Sequence, residues 1–316
     1  MATGLNKDVI IYNELAQTAY LERIQDNLNV FNAASNGCIL LQDENIQGDF
    51  RKQSFYKIGG SLEHRDVNSN GAVENKTIAM GEMVGVKIPF KYGPYAITEE
   101  AMKRRARSTE EFSILIGQDY ADALLDGYFK YLTAGAIAAI GTNGDMKASA
   151  SIATDHKKVL TKGMRKFGDK FGRIGLWVMD SAVYFDLIDD AITNKVFESE
   201  DQIIYGGLPA TMGKPVLVTD KAKANTILGL QAGAITITNS QLPGFRAYDI
   251  NSEENLAIGI RAEGTFNLDV LGYSYKESAG ANPNLSTIGT EASWQKYATS
   301  NKNTAGVLIK KKKKKK

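Results

Sequence analysis

The sequence is poor in the residues that carry chemistry. Its 316 residues include one cysteine, Cys38, and two histidines, His64 and His156. A single cysteine excludes an intrachain disulfide framework and suits a reducing cytoplasm. Followed by Ile39, Leu40 and Leu41, Cys38 reads as a small core residue rather than a reactive thiol. His64, in Glu63-His64-Arg65-Asp66, has no second ligand cluster to complete a metal site and reads as part of a solvated loop. His156 follows Asp155 at a helix start and reads as a surface residue. No nucleophile elbow occurs. No stretch reaches the roughly 18 consecutive apolar residues of a membrane span. The opening MATGLNKDVIIYNEL lacks the basic, apolar and cleavage regions of a signal peptide, so neither a membrane partner nor export is expected.

Basic charge is also scarcer than the net value suggests. The formal charge is +2, but Lys310 to Lys316 are seven consecutive lysines. Removing those seven positive charges leaves −5 on the other 309 residues. Such a body is a poor general nucleic-acid binder, because that binding draws mainly on phosphate neutralisation by Lys and Arg. The lysine block itself reads as a solvated, self-repelling end. If it faces a lumen, Lys310, Lys311, Lys312, Lys313, Lys314, Lys315 and Lys316 are its candidate nucleic-acid contacts. The hydrophobic share of 43% and charged share of 23% are those of a globular protein with ample core.

Two motifs imitate ligand sites. Gly207 to Gly213-Lys214-Pro215 has five residues between its glycines rather than four, and Pro215 stands where a phosphate loop needs Ser or Thr. Asp66-Val67-Asn68-Ser69-Asn70-Gly71 begins like a calcium loop, but its twelfth position is Thr77 instead of a bidentate glutamate. Asp186, Asp189 and Asp190 lie at helical spacing and make a solvated face. No catalytic, cofactor or metal residue is expected, and no cofactor.

The pattern along the chain is mixed α+β. Residues 9–34 carry Ile10, Leu15, Leu21, Ile24, Leu28 and Phe31 at roughly helical intervals. Residues 50–92 are rich in glycine and β-formers around the turn signal Asn70-Gly71. A hairpin of that length with so few large apolar residues cannot build its own core and must lie on something else. Ser108 to Glu111 forms a capping box. Apolar residues follow at 112, 115, 116, 120, 123, 124, 128 and 131, which predicts one helix to Ile140 about 48 Å long. Gly117, Gly127 and Gly135 each weaken it by roughly 1 kcal/mol relative to alanine, so packing must stabilise it.

A second, basic helix is predicted over 154–167, with Val159, Leu160, Met164 and Phe167 inward. Ile174 to Met179 predicts a strand. The helix after it carries Val183, Leu187, Ile188 and Ile192, and Val216-Leu217-Val218 predicts a buried strand. Ile227-Leu228 and Ala234 to Thr238 are strand-like, and Leu256–Arg261 and Thr265–Tyr275 predict two long strands. The last forty residues, rich in Asn, Ser, Thr and Gly, read as loop and tail.

GLWVMDSAVYFDLID, GKPVLVTD, GAITI and TFNLDVLGYSYKES, in that order behind the long helix, resemble segments of the major capsid proteins of tailed bacteriophages, the Hong Kong 97 phage capsid fold. The resemblance covers roughly residues 5–278 and lies in order and hydrophobicity, not in invariant catalytic signatures. It implies an N-terminal arm (1–49), an extended hairpin called the E-loop (50–92) and a peripheral domain with a spine helix (93–141). An axial domain (142–255), peripheral closing strands (256–278) and a C-terminal loop with the lysine tail (279–316) follow.

The function so implied is structural, with no enzyme activity. The chain would self-assemble into hexamers and pentamers of an icosahedral or prolate head shell enclosing phage DNA, in the virion and, during assembly, the host cytoplasm. The implied partners are further copies of itself, scaffolding, portal and decoration proteins, and packaged double-stranded DNA held without sequence specificity. No long acidic helical region precedes the arm, so a scaffold, where used, would be a separate chain. Arg51, Lys57, Arg65, Glu74 and Lys76 are the candidate intersubunit contacts of the E-loop. Lys52, Lys57 and Lys76 could in principle supply the Lys–Asn crosslink of some family members, but no residue pattern points to that chemistry. Two other readings stay open: an encapsulin-type nanocompartment shell, and a cytosolic α/β enzyme or ligand-binding protein suggested by the strand–helix–strand unit.

Overall fold

A computed structural model describes residues 32, 35–44, 46, 48–57, 62, 64–65, 67–72, 75, 77–105, 109–151, 158–193, 213–240, 244–252 and 254–311. The helix predicted over 9–34, the cap at Ser108, His156, the loop 207–212, Glu74, Lys76 and Lys312 to Lys316 lie outside them. The described residues form two sheets sharing one continuous apolar core.

The larger sheet is organised on one long strand. Its members are β1 (Ile39–Asp43), β2 (Phe50–Lys57), β3 (Ala79–Thr98), β8 (Ile235–Asn239), β9 (Gly244–Ile250), β10 (Ala257–Val270), β11 (Tyr273–Tyr275) and β12 (Trp294–Lys296). The two strands predicted over 256–275 are thus one 14-residue strand and a short return, joined by a tight turn at Leu271 and Gly272. β10 is antiparallel to β3 from Ala257↔Thr98 to Leu268↔Val86. It also pairs with β9 and then with β8, which runs parallel to β1.

The smaller sheet has the order β4 (Lys147–Ala150), β13 (Gly306–Lys311), β7 (Thr226–Gln231), β5 (Ile174–Met179), β6 (Val216–Val218). Residues 142–255 therefore do not make one sheet. The chain leaves the smaller sheet after β7, and β8 and β9 belong to the larger one. The C-terminal strand comes back to lie between β4 and β7. Loop and tail are overturned over much of 279–316, which contains the helical turn α5 (Leu285–Ile288), β12 and β13. Val307, Leu308 and Ile309 are wholly buried. Their run is short and abuts the lysines, and its pairing strands are distant in sequence, so the local pattern conceals a central strand. Conversely, Val216-Leu217-Val218 lies at the edge of the described sheet with Val218 exposed, because among the described residues it pairs with β5 alone.

Helix α1 (Glu99–Arg105) precedes the spine helix α2 (Thr109–Gly141). The buried side of α2 runs through Ser113, Gly117, Tyr120, Ala121, Leu124, Tyr128 and Leu132. Leu115 and Ala123, assigned to the stripe by spacing, are exposed instead. Small residues let the helix approach the sheet, so close packing and not side-chain size decides its inner face. Tyr128 and Tyr131 meet the ring of Phe266 at 4.9 and 5.5 Å, and Tyr120 meets Tyr92 at 5.0 Å.

Helix α3 (Lys158–Met164) packs on β4 and β13 of the smaller sheet, and α4 (Ser181–Thr193) follows β5. Val159, Leu160, Met164 and Phe167 point inward, as their spacing predicts. On α4, Val183 and Leu187 are buried and Ile188 is half-buried.

Candidate functional site

Among the described residues no three His, Cys, Asp or Glu side chains converge on a point where a metal could sit. No described helix is long and apolar enough to cross a membrane. His64 is exposed, and burial pushes the Cys38 thiol up to about 11. Lys214, beside the glycine-rich turn, donates to the carbonyl of Ile174 and so anchors a strand. Burial lowers its pKa.

The hairpin is the distinctive feature. β2 and β3 are antiparallel from Phe50↔Val86 to Lys57↔Ala79, and β3 begins to pair with β10 at Val86. The outer half, β2 with residues 79–85, is therefore a two-stranded ribbon. The predicted hairpin is present, but its strands pair only as far as Lys57↔Ala79, so Asn70-Gly71 is not a two-residue turn joining them.

The ribbon rests on the body along much of its paired length. The amide of Val84 donates to Ser274 Oγ at 2.8 Å, Phe55 packs on Tyr297 at 4.9 Å between centroids, and Lys52 pairs with Glu277 at 2.5 Å. Farther out that support ends: Met80 is 71% exposed, Ile78 62% and Val67 75%, and Leu62 is fully exposed.

A polar row ties the root across three strands. Arg51 on β2 stands opposite Gly85 on β3, and the next strand over carries Asp269. Arg51 reaches across Gly85 to Asp269 Oδ2 at 3.3 Å and holds Glu44 at 2.9 Å. Asn267 Nδ2 donates to the same Asp269 oxygen at 2.7 Å. A Cβ at residue 85 would sit 1.9 Å from Asp269 Oδ1, so only glycine leaves room for this bridge. Burial raises the pKa of Asp269, outweighing the opposing effect of Asn267 and Arg51.

The expected contact residues thus separate. Arg51 bridges the root, whereas Lys57 and Arg65 are exposed toward the tip. Sequence spacing missed Glu44, Asn267 and Asp269. The available signal was Gly85 itself, since a lone glycine inside a strand marks a close approach. Of the lysine block, Lys310 and Lys311 belong to β13. Lys310 lies 3.4 Å from Glu291, which Lys147 also holds at 2.9 Å, and Lys311 pairs with Asp186.

A long sheet-crossing strand, a spine helix over that sheet, a second sheet closed by the C-terminus and a projecting ribbon define the fold of a phage capsid subunit. Solved structures share it. One from Gordonia phage Cozz is similar with a TM-score of 0.53 at 11% identity, over 89% of this chain and 86% of that one. One from Microbacterium phage Oxtober96 gives 0.52 at 10% identity, over 89% and 91%. The mature capsid of bacteriophage PhiM1 gives 0.52 at 7% identity, over 87% and 86%. The chain belongs to the Gp13-like family, described as major capsid protein 13-like, whose model matches residues 8–308. It is a structural protein of a phage capsid shell. No curated protein sequence matches it.

Proposed function

We propose that copies of this chain assemble into hexamers and pentamers that close an icosahedral or prolate head around double-stranded phage DNA, without catalysing a reaction. In this reading residues 1–49 are the arm, the 50–92 hairpin is the E-loop, and the spine helix with the remaining strands of the larger sheet is the peripheral domain. The smaller sheet, including β13, is the axial domain. The observation that carries the proposal is the outer ribbon, which leaves Ile78 and Met80 exposed beyond its root. Apolar side chains at the uncovered end of a two-stranded ribbon are marginal in water, so a neighbouring subunit is the natural cover. Exposed Lys57 and Arg65, with Glu74 and Lys76, would supply polar contacts around that apolar centre. Scaffolding, portal and decoration proteins are the proposed partners, in the host cytoplasm during assembly and in the virion afterwards.

Size-exclusion chromatography and negative-stain microscopy of the full chain test this reading. Closed particles tens of nanometres across support it. A chain that stays monomeric or dimeric at every concentration and with its scaffold contradicts it.

A further inference from the structure

The basic helix and the turn after it carry more charge than the shell reading uses. Residues 158–173 hold six cations and one acid, Asp169. That is +5 within 16 residues, so the remaining 293 residues outside this segment and the lysine block carry −10. The segment is a local reversal of sign on an acidic body.

Packing fixes which side faces out. Val159, Leu160, Gly163 and Met164 face the smaller sheet. A Cβ at Gly163 would lie 2.7 Å from Ile309 Cδ1, so the helix sits directly on β13. Four of the cations are exposed, Lys158 at the start of α3 and Arg165, Lys166 and Lys170 in the segment after it. None of these four has an ion pair among the described residues. The single acid is already taken, because Lys302 holds Asp169, and Arg173 donates to Asn303 Oδ1 at 3.1 Å. The turn is thereby pinned while four positive charges are left for a partner.

We propose that this face of α3 and the turn Arg165–Arg173 is a docking surface for the phosphate backbone of duplex DNA, on the inner wall of the shell. The proposal rests on the shell reading for its location only. Charge complementarity selects the partner. A row of unpaired Lys and Arg on a rigid element, within a body of opposite net charge, neutralises phosphates irrespective of base sequence. The same sign contrast keeps DNA off the rest of the subunit.

The test uses the purified full chain before shell closure. It compares wild type with a variant carrying Lys158→Gln, Arg165→Gln, Lys166→Gln and Lys170→Gln. All four sites are exposed, and circular dichroism and thermal melting check that the fold is kept. Binding of a 30-base-pair duplex is followed by fluorescence anisotropy across salt concentration. The log–log salt slope should become shallower by about 0.9 for each phosphate no longer neutralised, and affinity at 0.1 M salt should fall about tenfold or more.

A chain truncated after Lys311 should retain this difference when the four substitutions are added, which separates the patch from the lysine block. An unchanged slope and affinity in the folded variant overturn the proposal. Normal DNA binding with a collapsed particle yield also overturns it, and assigns the patch to an acidic neighbouring subunit. Wild-type subunits that bind DNA but never form shells leave the surface standing and contradict the shell reading instead.

Discussion

Strand β13 and the outer half of the β2–β3 ribbon are both short lengths of strand in opposite circumstances. β13 is bonded on both sides, by β4 and β7, and its three central side chains are wholly buried. Among the described residues the outer ribbon pairs only its own two strands, rests on the body through Val84 and Phe55, and keeps Ile78 and Met80 at its far end in solvent. Burial of apolar surface stabilises by about 25 cal/mol per Å², so the first belongs to the stability of the subunit. The far end of the second has comparable chemistry but no cover among the described residues, and in the proposed assembly another molecule would supply it. In the proposed assembly one chain would divide its strands between holding itself together and holding its neighbours.

The largest effect should come from breaking the buried side of that contrast. Val307→Asp places an unpaired charge at the centre of the smaller sheet and should cost more than about 4 kcal/mol. Soluble yield should collapse, and any recovered protein should lack a cooperative melt. Leu124→Ala on the inner face of the spine helix should cost about 2–5 kcal/mol while leaving a folded, less stable subunit, read by denaturant midpoint.

Gly85→Val probes the root between the two regions. It forces Asp269 and Asn267 aside, breaks the Arg51 bridge and should cost about 1–3 kcal/mol. The smallest effect should be Asp269→Asn, whose value lies in its pH dependence. Burial raises the folded pKa of Asp269, so the folded state binds the proton more tightly than the unfolded one does. The contribution of Asp269 is then greatest below the ordinary aspartate pKa of about 3.9 and is lost as pH rises through the raised value. The melting temperature of the asparagine variant relative to wild type should therefore increase over that rise. A difference independent of pH would show that Asp269 does not titrate abnormally.

The spine helix was legible because thirty-odd residues of regular spacing outweigh local noise, and Ile174 to Met179 because its run is apolar and its boundaries are sharp. Leu115 and Ala123 misled because a stripe counts apolar residues, whereas the contact surface is set by Ser113 and Gly117. β13 was hidden by the lysines that follow it. The passage of β8 and β9 to the larger sheet was illegible for a different reason: partner strands far away in sequence decide sheet membership, and no local pattern records them. At the candidate site, Arg51 could be singled out from its place in the hairpin, but Asp269 and Glu44 become its partners only once β2, β3 and β10 are aligned.

The ribbon and the segment joining its strands are proposed to act between subunits. Replacing residues 60–77 by a short Gly-Ser turn tests this role most directly, with thermal melting of the subunit and particle yield by negative stain measured on the same preparation. The account predicts a subunit melt within a few degrees of wild type and a marked loss of closed particles. Full particle yield with unchanged particle stability would contradict it.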